Sequence, residues 1–233
     1  MSGDAVSYDV TQYERPSVTV DVVLFALRDQ ELQVLLVRRS GWPYQGYWAI
    51  PGGFVHMDES LDEAALRELE EEAGVSDVYL EQLYTFGGPD RDPRTRVITV
   101  AYMAVVSADQ ISLRAGSDAA EARWWSMSAL PGRLAFDHAE ILSYALTRLR
   151  YKLEYTAVGF QLLPEEFTLP ELQTAYEIIL GEKLDKANFR KKLARGNVVE
   201  STGRYRETGG RPAELYRYRE DAVAEVKARR LFP

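Results

Sequence analysis

Residues 53–75 read GFVHMDESLDEAALRELEEEAGV, and no other stretch restricts the fold of this chain so strongly. Glu68, Glu71 and Glu72 stand at i, i+3 and i+4, so on a helix they share one side. Like charges at that spacing weaken a helix by roughly a few tenths of a kcal/mol per pair. A solvated acidic face is the ordinary origin of such a run. A face built for stability, however, would intersperse lysine. Three carboxylates gathered together suit a hard divalent cation, which takes oxygen ligands. The flanks support the helix: Ser60 and Glu63 have capping-box spacing, and Gly74 stands where a left-handed cap is expected. Leu61, Ala65 and Leu69 form an apolar stripe. Gly52 and Gly53 permit a tight loop whose backbone can approach a ligand. Arg67 is placed to pair with Glu59 and hold that loop to the helix.

Around this helix the chain alternates between strand and loop signals. Runs 18–27 and 32–37 are apolar and β-branched, and the polar residues 28–31 between them read as a hairpin turn. Short strands are expected at 47–50, 79–86, 97–106 and 122–125. The segment 87–96, GGPDRDPRTR, is a charged loop. Its Arg91 and Arg94 are candidate clamps on a phosphate or ribose; a solvated turn closed by its own ion pairs is the equal alternative. Residues 138–149 carry Ile141, Leu142, Ala145, Leu146 and Leu149 on one helical face. Strands on both sides of a single acidic helix predict a mixed-sheet α/β/α sandwich over residues 14–152. Arg148, Arg150 and Lys152 read as a polar connection, and 156–163 as a linker or extended segment. Phe136 and His138 read as a buried helix start with a satisfied histidine. Tyr47, Trp48, Trp124 and Trp125 read as core or subunit contact. Glu121 and, more weakly, Asp118 are candidate general bases.

The charge distribution separates a second unit from the first. Residues 181–219 hold eleven Lys/Arg against five Asp/Glu, a surplus of +6 in a chain of net charge −8, which leaves −14 for the remainder. An acidic body with one basic segment suggests an anionic partner. Thr168 is placed to cap a helix with Pro170 in its first turn and Gly181 at its end. Asp185 then caps a basic helix at 186–195. Its Phe189 and Leu193 face inward, and Lys186, Asn188, Arg190, Lys191, Lys192 and Arg195 lie elsewhere on it. Strands at 198–201 and 215–218 flank an arginine-rich loop, 202–214, that carries Arg204, Arg206 and Arg211. Helix, turn, basic helix and basic hairpin outline a winged helix-turn-helix over residues 160–220, with double-stranded DNA as partner. Arg190 and Asn188 belong to the residue types that read base edges. Lys192 and the wing arginines suit phosphates.

Composition excludes several classes. The chain has no cysteine and two histidines, so disulfides, thiolate metal sites and a His-rich zinc site are excluded or improbable. Absence of cysteine fits a reducing cytoplasm. No apolar run reaches the length of a membrane span, and the first residues lack the basic and apolar regions of a secretion signal.

At residues 53–75 the chain matches every fixed position of the Nudix box and so resembles that family. The segments TFGGPDRDPRTR, RLAFDHAEIL, LPEEFTLPELQTAYEIILGEKLDKANFRKKL and GGRPAELYRYR resemble the Nudix-related transcriptional regulators of NAD metabolism, the NrtR type. That likeness covers nearly all of the chain past residue 15. It implies a homodimer on a palindromic operator and a Nudix domain that senses ADP-ribose or a related NAD-derived nucleotide near Gly52 and Gly53. It also implies Mg²⁺ or Mn²⁺ held by Glu68, Glu71 and Glu72, with Glu59 and Arg67 completing the catalytic set. Many such regulators have a degraded box and only bind their effector. Here every glutamate is present, so Mg²⁺-dependent ADP-ribose pyrophosphohydrolysis is the alternative activity.

Overall fold

The fold, taken from a computed structural model, is described for residues 12–76, 78–107, 119–155, 157–207 and 212–219. Strands β1 (Ser17–Arg28) and β2 (Glu31–Arg39) form the expected hairpin, in register from Phe25↔Val34 to Arg28↔Glu31. Asp29 and Gln30 close it with φ of 51° and 59°, the paired positive φ that matches the twist of a two-residue turn. Five further strands complete the sheet: β3 (Trp48–Ala49), β4 (Gly52–Phe54), β5 (Glu81–Phe86), β6 (Val97–Val106) and β7 (Ala119–Ser126). The order is β3-β2-β1-β6-β5, with β4 also pairing β1 and β7 pairing β2. Among the described strand pairs only β1 and β6 run parallel, so the sheet is mixed.

Both faces of β1 are buried, and each is covered by its own helix. On one side α1 (Leu61–Ala73) packs Ala64, Ala65, Leu69 and Ala73 against Val20, Val22 and Leu24. On the other, α2 (His138–Tyr155) packs Ile141, Leu142 and Ala145 against Val23 and Phe25. Alternate residues of one strand thus feed two cores, as the two-residue period of a strand requires. This is the expected α/β/α sandwich.

The C-terminal unit comprises α3 (Leu169–Leu180), α4 (Lys186–Gly196) and the hairpin β8 (Val199–Arg206)–β9 (Ala213–Tyr218). Thr168 and Glu171 form a reciprocal capping box, and Gly181 closes α3 in the left-handed region at φ 77°. Asp185 caps α4 by accepting from the Asn188 N–H. A bridge between Phe167 and Tyr216 adds a third short strand segment to the hairpin, giving the outline of a winged helix.

Four sequence expectations change. Arg148, Arg150 and Lys152 are not a connection: α2 runs through them to Tyr155. In the segment 156–163, expected as a linker or extended, the described residues are neither. Ala157–Leu162 is a 3-10 helix with Val158, Phe160 and Leu162 buried. Its apolar residues alternate in sequence, a pattern that mimics a strand. Helix α4 ends at Asn197, which takes the left-handed cap at φ 48°, one residue past the expected Gly196. Finally, Arg204 and Arg206 lie on β8, not in the connecting loop, because the strands extend beyond their apolar ends.

The core does not stop at the junction. Leu149 and Leu153 of α2 join Val158, Phe160, Phe167, Leu172, Tyr176, Phe189 and Leu193 in one apolar cluster. Among the described residues no helix is long and apolar enough to cross a membrane.

Candidate functional site

Arg67 organises the acidic helix. Its Nε and Nη2 reach the two oxygens of Glu59 at 2.9 and 2.7 Å, a bidentate pairing that only guanidinium geometry allows. Nη2 also donates to the Phe54 carbonyl, and Nη1 to Glu68 and Glu71 at 2.7 and 3.1 Å. Glu59 accepts a further bond from the His56 N–H. These bonds draw its carboxyl down to about 2, with Arg67 the largest cause. The expected Arg67–Glu59 clamp between loop and helix is present.

The three glutamates differ in surroundings. Glu72 accepts from the Gly52 N–H at 2.9 Å and is half-buried; loss of solvent around it, reinforced by the charges of Glu68 and Asp21, pushes its carboxyl up to about 8. Glu68 lies against Gly53, where an added Cβ would stand 2.2 Å from its Oε1. Burial raises its pKa as well, despite Arg67. Glu71 points outward with a 57% exposed side chain. Among the described residues no three acidic side chains converge as a ready cation cage. The donor set nevertheless fits a divalent cation: all ligands are hard oxygens, and no protein cation pairs with the half-buried Glu72 among the described residues.

Gly52, Gly53 and Glu72 form one wall of a cleft of about 260 Å³. Arg91 and Arg94 reach the same cleft, so both candidate ligand residues meet the box. Arg91 is committed to Asp137 at 2.7 and 2.9 Å and approaches Asp21 at 3.5 Å. Arg94 pairs with Asp92 and lies over the rings of Phe54 and Phe136, 5.0 and 5.7 Å from their centroids. The loop's own ion pairs and its contact with the cleft therefore coexist. His138 is a satisfied buried histidine, as expected. Its Nδ1 accepts from the Ile50 N–H at 2.9 Å, and burial lowers its pKa. It also lines the cleft, as do Thr19, Asp21, Arg39 and Phe136. Sequence reading missed Thr19, Asp21 and Arg39. They lie in apolar strand ends far from the box, and no spacing rule connects them to it.

Other candidates fall elsewhere. Glu121 is on β7, 4.0 Å from Arg38 and outside the cleft. Asp118 lies outside the described residues. Trp48 and Trp125 pack edge to face at 5.2 Å, a core contact.

On α4, Lys186, Asn188, Arg190, Lys191 and Arg195 are exposed and Lys192 is half-buried, while Phe189 and Leu193 are buried. The wing arginines are engaged: Arg204 pairs with Glu166, and Arg206 reaches Glu171 at 2.6 Å and the Glu166 carbonyl at 3.2 Å. Arg211 lies outside the described residues.

Comparison with known proteins matches the architecture twice. Residues 16–145 fit the NUDIX domain model, and residues 159–218 fit the NrtR DNA-binding winged helix domain. The first match alone spans more than half of the chain, and the protein is a member of the Nudix family. Within that family it is of the NrtR type. It is 41% identical to the ADPR responsive transcriptional repressor NtrR of Acinetobacter baylyi, over 91% of this chain and 85% of that protein. Shewanella oneidensis NrtR, solved with a 27mer DNA, superposes at a TM-score of 0.76 with 40% identity, covering 91% of this chain and 96% of that one. The NUDIX domain of the same Shewanella oneidensis protein, solved with ADP ribose, superposes at 0.56 with 38% identity over 61% of this chain and 94% of that one.

Proposed function

We propose that this chain is a transcriptional repressor that binds operator DNA and releases or retains it according to ADP-ribose, or a related NAD-derived nucleotide, bound in the Nudix cleft. The observation that carries the reading is that α2, whose first residue lines the charged cleft, shares one apolar core with a winged helix that bears an exposed basic helix. The likeness to a repressor named for its response to ADP-ribose supports the choice of effector. We assign residues 14–152 to the sensing domain and 160–220 to the DNA-binding domain. Two copies would present two α4 helices to the two half-sites of a palindrome. Lys186, Asn188, Arg190, Lys191, Lys192 and Arg195 face the duplex in this reading, with Arg204, Arg206 and Arg211 on phosphates.

Glu68, Glu71 and Glu72 would hold Mg²⁺ or Mn²⁺. A bound cation would neutralise diphosphate charge and lower the pKa of an attacking water. Arg67 keeps Glu59 and Glu68 oriented, and Gly52 and Gly53 keep the loop close enough for the ligand to reach them. Retained hydrolysis to AMP and ribose 5-phosphate is the second reading, favoured by the complete set of box glutamates.

A gel-shift titration on the DNA upstream of the chain's own operon tests the first reading. A sequence-specific shift at physiological salt that ADP-ribose alters is expected; no specific shift rejects it. For the second, ADP-ribose and Mg²⁺ are incubated with the protein and with Glu71→Gln, and no AMP above the variant's level rejects hydrolysis.

A further inference from the structure

Exposed aromatic side chains gather at the mouth of the cleft. Trp42 is 73% exposed, and Tyr44, Tyr47 and Phe54 are each exposed by more than a third. Phe54 lines the cleft, as do Ser40 and Gly41 immediately before Trp42. Tyr44 packs edge to face on Phe136, another cleft residue, at 4.8 Å, and on Tyr47 at 5.7 Å. One exposed apolar side chain is ordinary; several around a concave site mark a place where something docks.

Trp42 stands apart in this group. Tyr44 and Tyr47 lean on each other, and the Phe54 and Phe136 rings both lie under the Arg94 guanidinium. Among the described residues Trp42 makes no contact with a ring or a cation. A slack loop does not explain its exposure. The Gly46 N–H donates to the Arg39 carbonyl at 2.9 Å and the Arg39 N–H to the Tyr47 carbonyl at 3.0 Å. Arg39 Nε reaches the Pro43 carbonyl at 2.8 Å, and Arg38 Nε the Gly46 carbonyl at 3.2 Å. Pro43 itself is buried. The loop is therefore pinned on both sides of the indole, which is held out beside the cleft.

We propose that Trp42 stacks on the base of the nucleotide, so that recognition depends on a base as well as on a diphosphate. The indole offers a large flat apolar face. Stacking of this kind accepts any base, because every base has a π-face; Trp42 then selects for the presence of a base and not for its identity. This rests on the reading of the cleft as a nucleotide-diphosphate site, and it places a ligand contact outside the box and its glutamates.

Calorimetric titration of ADP-ribose and of inorganic pyrophosphate into the full chain, Trp42→Ala and Trp42→Phe tests it, with melting curves to confirm that the variants are folded. A stacked base contributes on the order of tenfold in affinity. We expect Trp42→Ala to bind ADP-ribose about tenfold more weakly, Trp42→Phe to recover most of that loss, and pyrophosphate, which has no base, to bind all three proteins alike. ADP-ribose should also quench the indole emission of the wild type and not that of Trp42→Ala, since Trp48, Trp124 and Trp125 are half-buried strand residues. Equal ADP-ribose affinity in the wild type and Trp42→Ala overturns the proposal. An equal loss for both ligands also overturns it, because Trp42 would then only support the loop. If pyrophosphate binds too weakly to measure, the emission decides, and no quenching in the wild type overturns the stack. If Trp42→Ala does not fold, Trp42→Leu, apolar but without a flat face, takes its place. If the wild type binds no ADP-ribose, the effector reading fails and ADP becomes the probe. ADP binding that Trp42→Ala weakens keeps the stack; no binding, or binding indifferent to Trp42, overturns it.

Discussion

Arg150 donates its Nε to the carbonyl of Ile179 at 2.8 Å. The donor belongs to α2 and the acceptor to the C-terminal turn of α3, where carbonyls lack helical partners and favour a cation. The same helix begins at His138 in the cleft, immediately after Asp137, which holds Arg91. Twelve residues of α-helix separate His138 from Arg150, roughly 18 Å at the usual rise. One rigid element therefore touches the effector cleft at one end and the DNA-binding unit at the other. An effector acts on DNA affinity only if it favours one arrangement of the two units over another.

Arg150→Ala should leave ADP-ribose affinity unchanged within twofold, because no cleft group is removed. The factor by which ADP-ribose changes operator affinity should fall at least threefold, a loss of roughly 0.7 kcal/mol from a coupling that is typically 1–3 kcal/mol. Paired operator titrations with and without saturating ADP-ribose measure it. An unchanged factor would show that this contact carries none of the coupling.

His138 makes the cleft sensitive to acid. Its Nδ1 must be unprotonated to accept from the Ile50 N–H, and Asp21 stands 3.4 Å from Nε2. Burial is the largest influence and lowers the pKa; Arg91 and Arg39 act in the same direction, against Asp21 and Asp137. The unfolded chain takes up this proton near pH 6.5 and the folded chain resists it, so the unfolded state binds more protons below that pH. Stability is therefore unaffected above pH 6.5 and declines as pH falls below it, by at most about 1.4 kcal/mol per unit from this group. Urea midpoints at pH 7.5 and 5.5 should drop in the wild type. They should drop less in His138→Gln, whose amide cannot titrate. Equal slopes would remove His138 from the account.

Arg67→Lys should weaken the box although charge is conserved. One ammonium cannot reproduce the two bonds to Glu59 together with those to Phe54, Glu68 and Glu71. We expect the thermal midpoint to fall by about 2–4 °C, the response of a chain this size to losing one good interaction. The acid limb should also move. Glu59 contributes fully above the ordinary carboxylate range and loses its contribution as pH falls toward about 2; without the fork that loss should be smaller and complete at higher pH. A melting profile from pH 3 to 7 that superposes on the wild type would sink this expectation.

Local signals were the legible part of this fold. The Ser60 capping box, the Thr168 N-cap and the Gly74 and Gly181 caps each depend on residues within a few positions, and all four form. What escaped depends on distant partners. The charges of Arg148, Arg150 and Lys152 suggested an exit from the helix, yet Arg150 is a docking residue and Lys152 pairs with Glu81 on β5. Val158, Phe160 and Leu162 alternate like a strand, but Gly159 between them packs so closely that a Cβ would come within 2.7 Å of Tyr176 and 2.9 Å of Leu153. That contact bends the segment into the interdomain core. Arg39 and Thr19 looked like ordinary strand residues because only distant contacts, the pairing of Thr19 with Phe54 and the approach of Phe136 to Arg39, bring them to the cleft.

The wing offers a last test. Arg206 Nη1 bonds Glu171 Oε1 at 2.6 Å, while Glu171 Oε2 accepts from the Thr168 N–H at 2.7 Å. One carboxylate both caps α3 and neutralises a wing arginine. A glutamine can serve the capping box as well as a glutamate, so Glu171→Gln should keep the helix while freeing Arg206 for a phosphate. One more phosphate contact should steepen the plot of log affinity against log salt by about 0.9 and tighten low-salt DNA binding several-fold. Loss of a negative charge anywhere near the DNA could raise affinity to some degree, so the double variant Glu171→Gln/Arg206→Ala is the control. If the gain belongs to Arg206, the double variant loses the added slope; if the slope persists without Arg206, the arginine was never the group released.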